Sequence, residues 1–263
     1  DPDLAASQKA TEGGVEAAST ALEAVRGAHF ILSSLPSEAA LLEVVSALSK
    51  CSPELQSKVI LIELSTLSIA SKAEARQRLA EYGVDMLDCP ISGTGAQAHT
   101  RDIVLYASGN EEAFMRCQPL FDAISREAFF LGEFGNGMRM KFIANLLVAI
   151  HNVASAEALC LARQAGLDPQ QVYDVISSGA GNSRIFELRG PMMVKGSFEP
   201  ATMKLDVWQK DMELIRAFTQ SAGAETPLFD ATEPLYEMAI KMDLGDLDTA
   251  AVCRVIDRLG RSN

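Results

Sequence analysis

The chain has 263 residues, 48 % hydrophobic and 22 % charged, which allows a sizeable core and excludes the low apolar content of disorder. Lys+Arg number 23 against 35 Asp+Glu, and the formal charge of −12 repels nucleic acid and anionic membrane surfaces alike, so neither is expected as a partner. Five scattered cysteines, Cys51, Cys89, Cys117, Cys160 and Cys253, form no Cys-x-x-Cys pair, and His29, His99 and His151 lie far apart; this argues against a disulfide framework or a metal site and for a cytoplasmic location.

In chain order, a short helical piece ends near Gly13-Gly14, then come the brief segment Val15-Glu16-Ala17 and a second short helix through Leu22 and Val25. Regular alternation starts at Ala28. Ala28 to Ser34 reads as a buried strand and Ser37 to Leu48 as a helix with Ser37 as N-cap. Lys58 to Leu64 is a β-rich run, Ser68 to Tyr82 a charged amphipathic helix, and Val84 to Leu87 a third strand. Asp102 to Ser108 and Glu127 to Leu131 read as further strands, separated by a helix from Glu111 to Ile124. Such alternation predicts βαβ units and a largely parallel sheet with helices on both faces. Past Gly132 only helical periodicity remains, broken at Gly166-Leu167-Asp168-Pro169, Gly179-Ala180-Gly181, Gly190-Pro191 and Thr226-Pro227. The predicted organisation is an α/β domain over 1–133 followed by an all-helical domain over 134–263.

Gly135-Asn136-Gly137 opens the longest helix, roughly thirty residues, because nothing breaks continuity before Gly166. Its apolar run from Phe142 to Ala162 is long enough to cross a bilayer, yet it contains Asn145, His151, Asn152 and Glu157, which favours a buried core helix. Lys141, Asn145 and Asn152 share one face at i, i+4 and i+11. Two readings fit Lys141. It is a snorkelling surface lysine, or it is a general acid–base whose pKa is lowered by desolvation and a neighbouring cation.

Leu35-Pro36, Ser65-Thr66 and the glycine-rich loop from Asp88 to Ala96 each follow a predicted strand, at the edge where open α/β sheets bind ligands. In the third loop Pro90 fixes φ, Gly93 and Gly95 free the backbone, and Ser92 and Thr94 add hydroxyls. Such a loop suits a carboxylate, although a plain solvent turn has the same spacing.

These stretches together resemble the β-hydroxyacid dehydrogenase family, which includes 3-hydroxyisobutyrate dehydrogenase and, more distantly, 6-phosphogluconate dehydrogenase. The family's Asp-x-Pro-Val-Ser-Gly-Gly loop is matched from Asp88 to Gly93, with Ile91 for valine and Thr94 for the last glycine. Its Gly-x-Gly-x-x-x-Lys-x-x-x-Asn motif is matched at Gly135, Gly137, Lys141 and Asn145, and its late Lys-Asp pair at Lys210-Asp211.

The resemblance implies a Rossmann-like α/β domain followed by an all-α substrate and dimerisation domain. It also implies NAD or NADP as cofactor, a small carboxylate-bearing 3-hydroxy acid as substrate, and a homodimer. Lys141 is then the general acid/base. Ser92, Gly93, Thr94 and Asn145 are substrate-binding, and Leu35, Pro36, Thr66, Lys210 and Asp211 line the cofactor side. A surface ion pair is the alternative for Lys210–Asp211. The family opens with a Gly-x-Gly-x-x-Gly turn that this sequence does not contain, and Asp1-Pro2-Asp3 resembles the stretch after the family's second strand. The expected α/β domain is therefore incomplete at its N-terminus by about thirty residues and weak in dinucleotide binding. A catalytically silent binding or regulatory module and an imine-reducing relative, whose branch does not need the lysine, are the other classes.

Overall fold

The computed structural model describes residues 1, 3–50 and 59–261. Cys51 and Lys58, both named above, lie outside them. Contacts divide the chain into two units: Asp1–Ser92 with Arg101–Arg139, and Gly93–Thr100 with Met140–Asn263.

The first unit begins with α1 (Leu4–Glu12) and α2 (Ala21–Ala24), then alternates β1 (Phe30–Ser33), α3 (Glu38–Leu48), β2 (Ile60–Glu63), α4 (Ile69–Ala80) and β3 (Asp85–Asp88). Ser37 caps α3 as expected, its Oγ accepting from Ala40 N–H at 3.2 Å. β1, β2 and β3 pair in parallel in that order, with Phe30 opposite Ile60 and Ile60 opposite Asp85. β2 is buried along its whole length, which explains why its sequence is an unbroken apolar run up to Glu63. Leu61 and Met86 face Leu41, Val45 and Leu48 of α3 and Ala75 and Leu79 of α4. Ile60, Ile62 and Leu87 face the opposite layer, where Phe114, Cys117 and Phe121 pack. Helices thus cover both faces of the sheet.

Three of the four strand pairs are parallel, as expected, and one is not. β3 runs on through Cys89-Pro90 into a two-residue strand, β4 (Ile91–Ser92), which is followed by α5 (Gly95–His99), β5 (Val104–Ala107), α6 (Glu111–Ile124) and β6 (Glu127–Phe130). β4 and the end of β3 lie antiparallel to β5, through Ile91 opposite Leu105 and a bridge between Asp88 and Ser108. β5 and β6 are parallel to each other. Two three-stranded sheets, β1-β2-β3 and β4-β5-β6, therefore meet at this bridge with their parallel runs pointing opposite ways. β4 was read as loop because two residues carry no periodicity; it forms because Pro90, which has no N–H to donate, still offers its carbonyl to Tyr106 N–H at 3.1 Å.

The second unit is helical. α7 (Asn136–Gln164) begins in the first unit, and its greater part belongs here with α8 (Pro169–Ser177), α9 (Arg184–Lys195), α10 (Leu205–Ala222), α11 (Pro227–Lys241), a 3₁₀ turn (Thr249–Ala251) and α12 (Val252–Arg261). No strand occurs past β6 among the described residues. α7 buries Phe142, Ala149, Val153, Ala156 and Leu159, while Trp208 of α10 and Tyr236 of α11 are the largest fully buried side chains.

Both glycines at the start of α7 have a physical reason. Gly135 has φ of 95°, in the left-handed region where a side chain is strained. Gly137 is inside the helix, but a Cβ there would collide with the backbone oxygens of Tyr106 and Asp88. The helix start is packed directly on the strand backbone. Gly137→Ala is therefore expected to lower stability by about 1–3 kcal/mol in urea denaturation, although alanine is the better helix former; a higher midpoint would contradict this packing.

Candidate active site

At the carboxyl edge of β1–β3 a chain of polar contacts is centred on one buried amine. Lys72 lies on the side of α4 that also buries Ala75 and Leu79. Its Nζ is 2.6 Å from Glu63 Oε2 and 2.8 Å from Asp88 Oδ1, and all three side chains are fully buried. The remaining carboxylate oxygens accept from elsewhere in this unit. Glu63 Oε1 accepts from Ser65 N–H at 3.0 Å, and Asp88 Oδ2 from Met138 N–H at 2.9 Å and the Ser108 hydroxyl at 3.1 Å. Ser65 Oγ accepts from Leu35 N–H at 2.7 Å. Ser108 Oγ accepts from Gly135 and Gly137 N–H at 3.2 and 3.0 Å. The first amides of α7, which have no intrahelical acceptors, thus end on a hydroxyl and a carboxylate, charge of the sign a helix N-terminus favours.

The expected cofactor-side loops lie on this same edge. Leu35 is half-buried against the first unit's core, Pro36 is exposed, and Thr66 is half-buried. Ser33 Oγ, buried at the end of β1, has no hydrogen-bond partner among the described residues. In the glycine-rich loop, Ser92 ends β4 half-buried and Gly93 is exposed. Thr94 precedes α5, and both its amide and its hydroxyl donate to Gln97 Oε1, at 3.0 and 3.3 Å. Those Thr94 donors are engaged in starting a helix, so the Ser92 hydroxyl and the Gly93 amide are the better candidates to meet a carboxylate.

In the second unit Lys141, Asn145, Lys210 and Asp211 come together. Asn145 Nδ2 donates to Asp211 Oδ2 at 3.0 Å, and Lys210 Nζ lies 3.9 Å from Asp211 Oδ1. Asp211 is 4 % exposed, so the surface-pair alternative does not describe it. Lys141 is 8 % exposed, and its side chain makes no hydrogen bond among the described residues. Burial holds its amine below the ordinary lysine value of 10.5; the Lys210 charge pushes the same way and Asp211 opposes both. Burial likewise raises the Asp211 carboxyl above 3.8, against Lys141, Lys210 and the Asn145 hydrogen bond. Both groups are drawn toward their neutral forms. A shielded amine of lowered basicity can exchange a proton with a bound hydroxyl or carbonyl oxygen. Asn152, third on the same helix face, donates to Tyr236 Oη and Thr249 O at 3.0 and 2.9 Å and serves packing instead.

The sequence reading missed the Glu63–Lys72–Asp88 cluster. In the sequence Lys72 is one charge among several of an amphipathic helix. Its spacing of i, i+3 and i+7 with Ala75 and Leu79 was the available signal, as were acids closing two apolar strands.

A family described as the NAD binding domain of 6-phosphogluconate dehydrogenase matches residues 1–132. A second, described as NAD-binding of NADP-dependent 3-hydroxyisobutyrate dehydrogenase, matches residues 135–256. The chain belongs to the β-hydroxyacid dehydrogenase family. It is 30 % identical over 195 residues to glyoxylate/succinic semialdehyde reductase 2 of Arabidopsis thaliana, covering 74 % of this chain and 54 % of that protein. It is 33 % identical over 205 residues to L-threonate dehydrogenase of Pectobacterium atrosepticum, covering 78 % and 67 %. The chain thus spans from about half to about two thirds of these relatives' lengths. A crystal structure of 3-hydroxyisobutyrate dehydrogenase from Salmonella typhimurium superposes with a TM-score of 0.87 at 27 % identity, covering 97 % of this chain and 89 % of that one.

Members of this β-hydroxyacid dehydrogenase family bind NAD or NADP, and part of what such a nucleotide needs is present here. The unpartnered Ser33 hydroxyl beside Leu35-Pro36 fits a nicotinamide-side contact at the strand ends. The sequence offers no Gly-x-Gly-x-x-Gly turn for the pyrophosphate, so no residue is assigned to that part of the cofactor.

Proposed function

We propose that this chain acts as an NAD- or NADP-dependent oxidoreductase that interconverts a small 3-hydroxy acid and its aldehyde or ketone, with Lys141 as the general acid/base. The observation that carries the reading is the Lys141 side chain, largely buried beside Asp211 and Lys210 and held below its ordinary basicity. A structural lysine in such a place would be costly to keep. That cost speaks against the silent-module alternative and gives the imine-reducing one no use for the residue. The relatives' names support a small acid with a hydroxyl or carbonyl as substrate, since glyoxylate, succinic semialdehyde and threonate are all of that kind.

The bound nicotinamide supplies the hydride acceptor in oxidation and the donor in reduction. In oxidation the neutral Lys141 takes the hydroxyl proton as the carbinol hydrogen leaves with its electron pair; in reduction the ammonium returns that proton to the oxygen. Asn145 directs one amide hydrogen to Asp211, and its second hydrogen is available to the same substrate oxygen. Asp211 offers the counter-charge for the lysine when it is protonated. Ser92 and Gly93 hold the carboxylate, which fixes the reacting carbon. Gly93 and Lys141 belong to the same unit of the fold, which supports a shared substrate. Leu35, Pro36 and Thr66 serve the nicotinamide side, and Lys210 lies near substrate or cofactor.

The described thiols Cys89, Cys117, Cys160 and Cys253 are free and buried, which supports a cytoplasmic setting. Met140, Ile143, Leu147 and Leu161 leave an exposed apolar stripe along one face of α7, spaced at i, i+3, i+7 and i+21. A stripe of this kind supports the homodimer through helical domains.

Lys141→Ala is expected to lower turnover at least about 100-fold while leaving NADH or NADPH binding, read by fluorescence, intact; full activity would exclude the assigned role. In wild type, the oxidation rate is expected to rise with pH through an inflection below 10.5. Asp211→Asn removes the charge that supports the ammonium, so the inflection should move to lower pH; movement upward would contradict the electrostatic assignment. Light scattering is expected to give twice the chain mass for wild type and a shift toward the monomer for Leu147→Asp, and a monomeric wild type would remove the dimer.

A further inference from the structure

The Glu63–Lys72–Asp88 cluster joins two parts of the first unit that are distant in sequence. On one side is the turn after β2, where Ser65 N–H is held by Glu63 and Ser65 Oγ holds Leu35 N–H. On the other is the first turn of α7, where Asp88 and Ser108 hold the amides of Gly135, Gly137 and Met138. The link between them is the Lys72 ammonium, at 2.6 and 2.8 Å from the two carboxylates, with no part of any of the three side chains exposed. A buried ion cluster of this sort is weak evidence for net stability, because apolar side chains of similar volume often serve stability as well or better. What it does supply is geometry. Each carboxylate has two acceptor oxygens, one turned to the ammonium and the other to a backbone amide, so the separation of the two turns is set by three short contacts.

We propose that Lys72 is a positioning residue: its ammonium fixes the Ser65–Thr66 and Leu35–Pro36 turns relative to the helix start that leads, three residues after Met138, to Lys141. This rests on the functional reading given above for those turns and for Lys141. Without the lysine, two buried carboxylates face one another with no counter-charge, and the two turns lose their common reference. β5 and β6 and their packing on α6 lie outside the cluster and do not depend on it.

The test is made on the whole chain with Lys72→Met and with Glu63→Gln/Lys72→Met, which keeps the cluster's net charge and so guards against simple misfolding. Hydrogen exchange without nucleotide is the first readout. The Leu35, Ser65 and Met138 amides are expected to exchange about tenfold faster or more, while amides of β5 and β6 keep their protection. Steady-state kinetics is the second. Turnover is expected to fall about 100-fold, the loss associated with a misplacement of about 1 Å, with the KM for the hydroxy acid changed much less. Wild-type exchange at those three amides in a folded variant overturns the positioning role, as does unchanged turnover. If wild type itself oxidises no hydroxy acid with either nucleotide, the functional reading fails, and the exchange measurement still decides whether Lys72 fixes the two turns.

Discussion

Lys72 sits where three strands end and the longest helix begins, with a carboxylate on either side and no part of its side chain exposed. A charge in that position is tolerated only because its partners are themselves fully engaged: Glu63 by the Ser65 amide, and Asp88 by the Met138 amide and the Ser108 hydroxyl. The surrounding features follow from this constraint. Ser108 must be close enough to meet both Asp88 and the helix start, which the antiparallel bridge between Asp88 and Ser108 provides. Residue 137 must lack a side chain, because the helix rests on the carbonyls of that same bridge region.

The fold contains a second buried lysine under opposite terms. Lys72 is fully paired, whereas Lys141 has only the longer-range charge of Asp211, shared with Lys210, and no side-chain hydrogen bond among the described residues. Burial thus makes one amine an anchor and leaves the other chemically available. The difference lies in the neighbours, not in the degree of burial. Asp211 serves both Asn145 and the lysine, so the late Lys-Asp motif falls in the proposed proton-transfer cluster as much as on the proposed cofactor side.

Much of this architecture was legible because its signals are local. The 3.6-residue period and the two opening glycines gave a helix of roughly thirty residues, and α7 has 29. Ser37 and the Glu111–Ile124 helix were readable from capping and periodicity alone. The family motifs brought Lys141 and Asn145 forward together, and both are buried. What escaped the sequence was pairing across distance. Nothing near Lys72 in the chain names Glu63 and Asp88 as its partners. The reversal of β5 and β6 was hidden for the same reason, since strand patterns fix which residues face inward and leave the direction of the neighbour open.

The lowered basicity of the Lys141 amine carries the proposed chemistry. It is tested most directly by an NMR titration of the chain labelled with ¹³C at the lysine ε-carbons, with the Lys141 resonance assigned by its disappearance in Lys141→Arg. The expected result is an inflection for Lys141 clearly below the ordinary value of 10.5. An inflection at or above that value would contradict the account.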